Sequence, residues 1–208
     1  MELLKFKDYL TEDKDEKGHG SEKHHVLAFG RMNPPTTGHM SVIHKVHDVA
    51  KAHNAEHTVV TSHSQDKKKN PLPAAKKLKH LKRYSPDTHF KLASSEHPTI
   101  MHHASQLHKK GVTHLHVVVG SDRQKEMHDL LHKYQGHKGG HGHYNFKKIT
   151  VHSAGHRDPD AEGTSGVSGT KQREHAAKGN FKEFRKGVPS HVSDTHAKEL
   201  MHDVQQGS

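Results

Sequence analysis

A ten-residue segment rich in glycine and proline carries residue types suited to phosphate chemistry, and it runs Gly30-Arg31-Met32-Asn33-Pro34-Pro35-Thr36-Thr37-Gly38-His39. Gly30 and Gly38 lack side chains, so a ligand can approach the backbone closely, and the two prolines stiffen the turn. We expect a helix to follow, and the N–H groups and positive dipole end of a helix N-terminus attract an anion. The segment therefore predicts a phosphate site.

A second segment with similar chemistry lies about 130 residues later and runs Val167-Ser168-Gly169-Thr170-Lys171-Gln172-Arg173. The hydroxyl groups of Ser168 and Thr170 flank a glycine at the start of a predicted helix, where they can hold phosphate oxygens. Arg173 lies one turn into that helix and adds a fixed cation. We therefore expect this segment to contact phosphate as well.

Together, the two segments resemble the signatures of the nucleotidyltransferase superfamily, which contains nicotinamide-mononucleotide adenylyltransferase, phosphopantetheine adenylyltransferase and the cytidylyltransferases. Thr36-Thr37-Gly38-His39 resembles the (H/T)xGH motif in its Thr version, and residues 167–173 resemble the ISxTxxR motif. Three further matches are similar to archaeal-type nicotinamide-mononucleotide adenylyltransferases: Gly30-Arg31, Ser64-Gln65 and Asn70-Pro71-Leu72. The resemblance covers roughly residues 24–178 and is greatest for adenylyltransferase-like proteins of tailed phages.

This resemblance implies that an acceptor phosphate attacks the α-phosphorus of a nucleoside triphosphate directly and releases pyrophosphate. His39 would donate to the phosphates, Thr36 would hydrogen-bond near it, and Arg173 would clamp the β and γ oxygens. These three residues form the predicted catalytic set. The predicted nucleotide-binding set is Gly30, Arg31, Met32, Asn33, Gly38, Ser168, Thr170 and Lys171. Mg²⁺ is expected to accompany the triphosphate, mostly with water ligands, and no dedicated protein metal site is expected.

A third polar segment, Gly120-Ser121-Asp122-Arg123, follows a predicted strand and resembles the family's Gly-x-Asp segment. Open α/β sheets bind ligands beyond the carboxyl ends of their strands. We therefore assign these four residues, with Asn70, to acceptor or ribose binding. Asp122 and Arg123 could instead cap and pair at a helix start. Lys67-Lys68-Lys69 is either a solvated loop or a triphosphate contact.

Short β-branched runs alternate with helix-period segments along the chain, which indicates βα units packed on a parallel sheet. The predicted strands are His25–Phe29, Thr58–Thr61, Phe90–Ala93, His114–Val119 and Phe146–His152. We expect a Rossmann-like three-layer α/β sandwich with a central parallel sheet of about five strands. Residues 24–178 would form the nucleotidyltransferase domain, and residues 179–208 would be short helices of the same domain. Gly136–His143 is expected to be a loop.

The composition excludes several classes of protein. The chain has 208 residues, which predicts one domain with tails, and zero cysteines, which excludes disulfide frameworks and thiolate sites. Its longest apolar runs fall far short of the roughly 20 residues of a membrane helix, so we expect a soluble protein, and because the lack of cysteine fits a reducing compartment we expect it in the cytoplasm. A net charge of +10 attracts polyanions. We do not expect nucleic acid as a partner, because only 5% of the residues are aromatic and Trp is absent.

The sequence contains 28 histidines, far more than one active site can use. Clusters such as His24-His25, His102-His103 and His114/His116 could bind transition metals adventitiously. We expect instead a bias in surface composition, with histidine in place of other polar residues. The consequence would be a stability that depends strongly on pH between about 5 and 7.5.

The N-terminal residues 1–23 are predicted to be a mobile tail. Met1–Glu12 resembles the targeting peptides of tailed-phage head proteins, which maturation proteases remove after a Leu/Ile-x-Glu triplet. An amphipathic start that packs or frays is the alternative. The sequence therefore leaves open that the protein is packaged in a phage head. The alternative to an enzyme is a non-catalytic nucleotide-binding or virion-associated protein that retains the fold. A homo-oligomer is likewise left open.

Overall fold

A computed structural model describes residues 20–155 and 167–208. The predicted targeting peptide, Met1–Glu12, and most of the predicted tail lie outside the described residues. The hypotheses about those segments stay predictions. No helix in the two described ranges is long and apolar enough to cross a membrane.

Five parallel strands form the central sheet, in the order β3-β2-β1-β4-β7. The strands are β1 (His24–Gly30), β2 (Glu56–Thr61), β3 (Phe90–Leu92), β4 (His114–Val119) and β7 (Lys148–Ser153). In the register, Leu27 of β1 lies beside Thr58 of β2 on one side and beside Val117 of β4 on the other. The predicted five-stranded parallel sheet of a Rossmann-like fold is confirmed.

Seven helices connect and cover the strands within the described ranges. They are α1 (Thr37–Ala52), α2 (Ala74–Tyr84), α3 (Ile100–Lys109), α4 (Gln124–Tyr134), α5 (Gly169–Ala177), α6 (Phe181–Lys186) and α7 (Asp194–Gly207). A 3-10 turn over Ser121–Arg123 leads into α4. The alternation of strand and helix follows the hydrophobic periods of the sequence.

Alternate residues of the strands build two hydrophobic cores, one on each face of the sheet. Val26 and Ala28 of β1 pack with α1, α2 and the C-terminal helices, whereas Leu27 packs with α3 and α4. Phe184 of α6 and Leu200 of α7 are fully buried in the first core. The few apolar residues of this chain are therefore concentrated where the helices pack on the two faces of the sheet. Helices α6 and α7 contribute to the core on one of these faces.

The glycine- and histidine-rich segment 136–143 is not the loop that was expected. It contains a small antiparallel hairpin of β5 (Lys138–Gly139) and β6 (Gly142–His143). Ser105 of α3 stabilises it, because its hydroxyl donates to the His143 carbonyl and accepts from the His143 N–H, both at 3.0 Å. This partner is 38 residues away in sequence, so local pattern could not reveal the hairpin.

Four histidines contradict the expectation that histidine is a surface feature here. His25, His80, His103 and His116 are all at most 6% exposed. Each has a polar partner: for example, His25 Nε2 lies 2.9 Å from the Thr58 hydroxyl, and His103 Nε2 lies 3.0 Å from the His97 carbonyl. Burial of a polar side chain is tolerated when it is hydrogen-bonded. Part of the histidine content is therefore structural.

Candidate functional site

A cleft of about 260 Å³ opens at the carboxyl ends of β1 and β4. This is the place where open α/β sheets bind ligands. Its lining includes most of the predicted site residues, namely Gly30, Arg31, Met32, Asn33, His39, Gly120, Arg123, Ser168, Thr170 and Arg173. A second cavity of about 370 Å³ lies between β1, β2 and α3 and is lined by none of them. The cleft is therefore the candidate site.

The two sequence segments meet in the cleft through Arg173 of α5. Its guanidinium donates from Nη1 to the Asn33 carbonyl at 2.9 Å and from Nη2 to the Thr170 hydroxyl at 3.1 Å. Burial lowers the pKa of Arg173, and the positive charge of Arg31 lowers it further. An arginine nonetheless stays protonated at neutral pH. The structure therefore holds one cation in a fixed orientation where both segments converge.

At two glycines of the phosphate segments, a side chain would crowd neighbouring protein atoms. A Cβ on Gly38 would lie 3.3 Å from the Val167 carbonyl oxygen, and a Cβ on Gly169 would lie 3.2 Å from Arg173 Nη1. Gly30 is similar, because its Cβ would lie 3.3 Å from the Met32 side chain. A side chain at each position would therefore crowd protein atoms, yet Gly30 and Gly169 also line the cleft, and the close approach of a ligand to the glycines stays a prediction.

His39 is oriented by the backbone of the residue that caps its helix. The Thr36 N–H donates to His39 Nδ1 at 2.9 Å, so in the neutral ring the proton resides on Nε2. Thr36 itself is 1% exposed and does not line the cleft. The described geometry therefore makes Thr36 a residue that orients His39, while its predicted direct contact with phosphate stays a prediction.

The N-termini of two helices border the same region. Ser168 caps α5, and its hydroxyl accepts from the Lys171 N–H at 3.2 Å. At α1, the Thr37 N–H donates to the Gly187 carbonyl at 3.0 Å. One of the amides that we expected to be offered to an anion is therefore used to hold the segment between α6 and α7.

A buried lysine that sequence analysis missed holds the backbone of the first phosphate segment. Lys77 of α2 is fully buried and donates to the backbone carbonyls of Arg31 and Ser62. Burial lowers the pKa of its ammonium to about 8. The Thr61 hydroxyl also donates to the Arg31 carbonyl, at 3.0 Å. A lysine inside the apolar stripe of a basic helix was the signal that could have found it.

Two asparagines that were predicted to bind ligand form side-chain hydrogen bonds within the protein. The Asn33 side chain bonds both the carbonyl and the N–H of Leu72, at 3.0 and 2.9 Å. Asn70 donates to the Asp66 carboxylate and does not line the cleft, whereas neighbouring Lys69 does. These contacts attach residues 66–72 to the first segment, and a role for Asn70 in binding stays a prediction.

The Gly120–Arg123 segment contributes unequally to the cleft. Gly120 and Arg123 line it, whereas Ser121 and Asp122 do not. Arg123 is largely exposed, and its Nε lies 3.6 Å from the Glu126 carboxylate. The side chain of Arg123 can therefore leave Glu126 and turn toward a ligand in the cleft at little cost in free energy, because an exposed ion pair contributes only about 0–1 kcal/mol.

Positive charge dominates the cleft. Its lining contains Arg31, Lys69, Arg123 and Arg173 together with His39. Within the described ranges, no carboxylate is among the lining residues. A cleft with low-dielectric walls and charge of one sign attracts a ligand of the opposite sign. This arrangement suits a polyanion such as a triphosphate.

Comparison with known proteins agrees with the geometry, because the model of the cytidylyltransferase-like family matches residues 27–175. The chain belongs to the cytidylyltransferase-like family. The match covers both phosphate segments, so the predicted membership of the nucleotidyltransferase superfamily is confirmed and this cytidylyltransferase-like protein is a nucleotidyltransferase. The predicted closeness to phage proteins stays a prediction.

The fold of this cytidylyltransferase-like chain is also found among solved structures. It is similar to a structure described as "a Putative Nicotinate-nucleotide Adenylyltransferase from Vibrio parahaemolyticus", with a TM-score of 0.52 and 13% identity. The alignment covers 89% of this chain and 97% of the other. At this identity the similarity shows the fold. The search of curated proteins found no match.

Proposed function

We propose that this nucleotidyltransferase transfers AMP from ATP to a small phosphorylated acceptor such as nicotinamide mononucleotide. The observation that carries the proposal is the cationic lining of the cleft, whose described residues include no carboxylate and in which Arg173 joins the two phosphate segments. The Vibrio structure supports an adenylyl donor and a pyridine mononucleotide acceptor through its description. The resemblance of residues 64–72 to archaeal-type nicotinamide-mononucleotide adenylyltransferases supports the same donor and the same class of acceptor.

In the proposed reaction, an oxygen of the acceptor phosphate attacks the α-phosphorus of ATP. The P–O bond to the bridging oxygen breaks, and pyrophosphate leaves with the electron pair. Negative charge grows on the leaving group, and donors fixed beforehand stabilise it without reorganisation. His39 donates a hydrogen bond from its Nε2–H to a phosphate oxygen, while Arg173 and Arg31 neutralise the β and γ phosphates.

The remaining predicted residues extend these contacts. Ser168, Thr170 and Lys171 at the start of α5 would bind triphosphate oxygens, as helix N-termini do. Arg123 lies on the wall formed by the end of β4, where it would pair with the acceptor phosphate. Lys69 would add a further cation at the mouth of the cleft. Positioning of two reactants in this way is the main source of rate in phosphoryl transfer.

Mg²⁺ would enter as part of the substrate. The cleft lining offers arginine, lysine, hydroxyl and backbone groups in its described residues, and these do not form an oxygen cage of carboxylates. Mg²⁺ keeps several waters and binds well to phosphate oxygens. The donor set therefore fits a Mg–triphosphate complex held through its phosphates, and bound Mg²⁺ would supply further charge neutralisation there.

The test is pyrophosphate release from each of the four nucleoside triphosphates with a panel of acceptors. The panel includes nicotinamide mononucleotide, nicotinate mononucleotide, phosphopantetheine and phosphocholine, each with Mg²⁺. We expect the highest turnover with ATP and a pyridine mononucleotide. Turnover with another pair would change the assigned substrates. Tight ATP binding without turnover on any acceptor would overturn the proposed reaction and favour the non-catalytic rival.

A further inference from the structure

Three histidines from distant parts of the chain converge at the end of the sheet opposite the cleft. His24 begins β1, His116 lies within β4, and His53 follows the last turn of α1. One ring nitrogen from each lies within 4.8 Å of those of the other two. Since a strand advances about 3.3 Å per residue and His116 lies in register with Val26, this histidine cluster lies roughly 13–20 Å from Gly30 and the cleft.

The spacing of the rings suits a metal ion. His24 Nδ1 lies 2.9 Å from His116 Nε2, and the ring centroids of His53 and His116 are 4.1 Å apart. Two imidazole nitrogens bound to one tetrahedral Zn²⁺ at 2.0–2.1 Å are about 3.3 Å apart. To admit the ion, the His24 and His116 rings would need to separate by a few tenths of an ångström and also turn, so that both nitrogens point at the ion instead of at each other.

Neighbouring side chains complete the features of a ligand site. His116 Nδ1 lies 2.9 Å from His152 Nε2, so the ring nitrogen that faces away from the cluster already has a partner that orients it. Glu22 lies on the solvent side, with Oε2 3.2 Å from His24 Nε2 and Oε1 3.8 Å from His114 Nε2. Its carboxylate supplies negative charge where a cation would enter.

The burial of the three rings is graded from the core to solvent. His116 is 5% exposed, the His24 side chain is 18% exposed, and His53 is exposed. The inner ring is therefore held by the sheet, while the outer ring is accessible to an arriving ion. A water molecule can occupy the position that faces solvent.

We propose that His24, His53 and His116 form a binding site for a late first-row divalent cation, of which Zn²⁺ is the best match. Imidazole ligands suit zinc, copper, nickel and iron, and three of them leave one tetrahedral position for water. The ion would link β1, β4 and the end of α1. Its distance from the cleft makes it a structural brace, independent of the proposed transfer reaction.

The test must separate this site from adventitious binding by the other histidines. Tag-free protein stripped with a chelator is titrated with Co²⁺, whose visible absorption reports tetrahedral coordination, and then with Zn²⁺ in competition. The test variant is His53→Ala, because His53 is exposed and its loss leaves the buried rings in place. The control is His128→Ala with His132→Ala, a stacked pair on α4 with centroids 4.0 Å apart.

We expect one tight tetrahedral Co²⁺ site per chain that Zn²⁺ displaces. His53→Ala should weaken it at least about tenfold, whereas the control double variant should retain it. Zn²⁺ should also raise the Tm of wild type more than that of His53→Ala. Several weak equivalents without a distinct tight site, or equal affinity in wild type and His53→Ala, would overturn the proposal. None of these measurements uses the transfer reaction, so they stand apart from the proposed function.

Discussion

The protein should lose stability as the pH falls from 7.5 to 5.5, and buried His25 contributes a measurable part of that loss. Its imidazole is 6% exposed on the α3 face of the sheet, 2.9 Å from the Thr58 hydroxyl. The pKa of His25 is lowered to about 4, chiefly by burial; Glu56 opposes the shift, whereas His57, Lys110 and His89 add to it. The folded protein therefore resists protonation of this ring.

The sign and size of the effect follow from proton linkage. In the unfolded chain a histidine has a pKa near 6.5, so above that value both states are neutral and the stability is at its full level. Below it, the unfolded state binds a proton that the folded state does not, and the free energy of unfolding falls until the pH reaches about 4. Between pH 7.5 and 5.5, His25 alone accounts for a loss of about 1 kcal/mol.

Urea unfolding followed by circular dichroism, with a chelator present, measures this loss at pH 7.5, 6.5 and 5.5. His25→Gln keeps a polar group for Thr58 but removes the titration, so its stability should fall by about 1 kcal/mol less than that of wild type over the same interval. His132→Gln, at an exposed position on α4, is the matched control and should keep the wild-type slope. The reasoning would be refuted if the free energy of unfolding changed equally with pH in wild type and His25→Gln, or if it rose toward pH 5.5. The pKa of buried His103 is also lowered to about 4 by burial, so its contribution has the same sign.

Three further predictions concern the site and the hairpin. Arg173→Lys should lower kcat/KM for pyrophosphate release by about 10²-fold or more, because lysine cannot reproduce the two directed bonds of the guanidinium; Arg83→Lys, the same substitution at an arginine of α2 that does not line the cleft, is the matched control. Lys77→Met should lower kcat/KM by about tenfold, because the carbonyls beneath the phosphate segment lose their donor. Gly142→Ala should destabilise the protein by about 1–3 kcal/mol in urea unfolding, because φ is +95° and the new Cβ would collide with the Ser105 hydroxyl.

Each of these predictions has an outcome that contradicts it. Wild-type turnover in Arg173→Lys would mean that the bridge between the two segments does not act on the substrate. Arg83→Lys as damaging as Arg173→Lys would indicate a general effect of replacing an arginine, not a role of the bridge in the cleft. Unchanged kinetics in Lys77→Met would make that lysine purely a core residue, and an unaltered urea midpoint in Gly142→Ala would show that the hairpin can move away from α3.

Much of the fold could be predicted because it depends on local patterns. The β-branched run His114–Val119 is a strand at those bounds, and Met40, Ile43 and Val46 form the buried stripe of α1 as their helical spacing indicates. The bounds of the other four strands differ from the prediction by one or two residues at one end or both, and β7 begins at Lys148, not Phe146. Phe146 is buried before the strand, and its N–H donates to the Gln135 side chain, a contact that the sequence pattern does not contain.

The two phosphate segments were recognisable because the side chains of each are close together in sequence. What each side chain does within the site depends on partners far along the chain, and those partners are set by packing. Asn33 bonds Leu72, Gly38 faces Val167, and Lys77 holds Arg31, although these pairs are separated by 39 or more residues. Composition could count the histidines but could not locate them, because burial and proximity are properties of the packed sheet. Tertiary packing alone placed some of them in the core and brought His24, His53 and His116 together at one end of it.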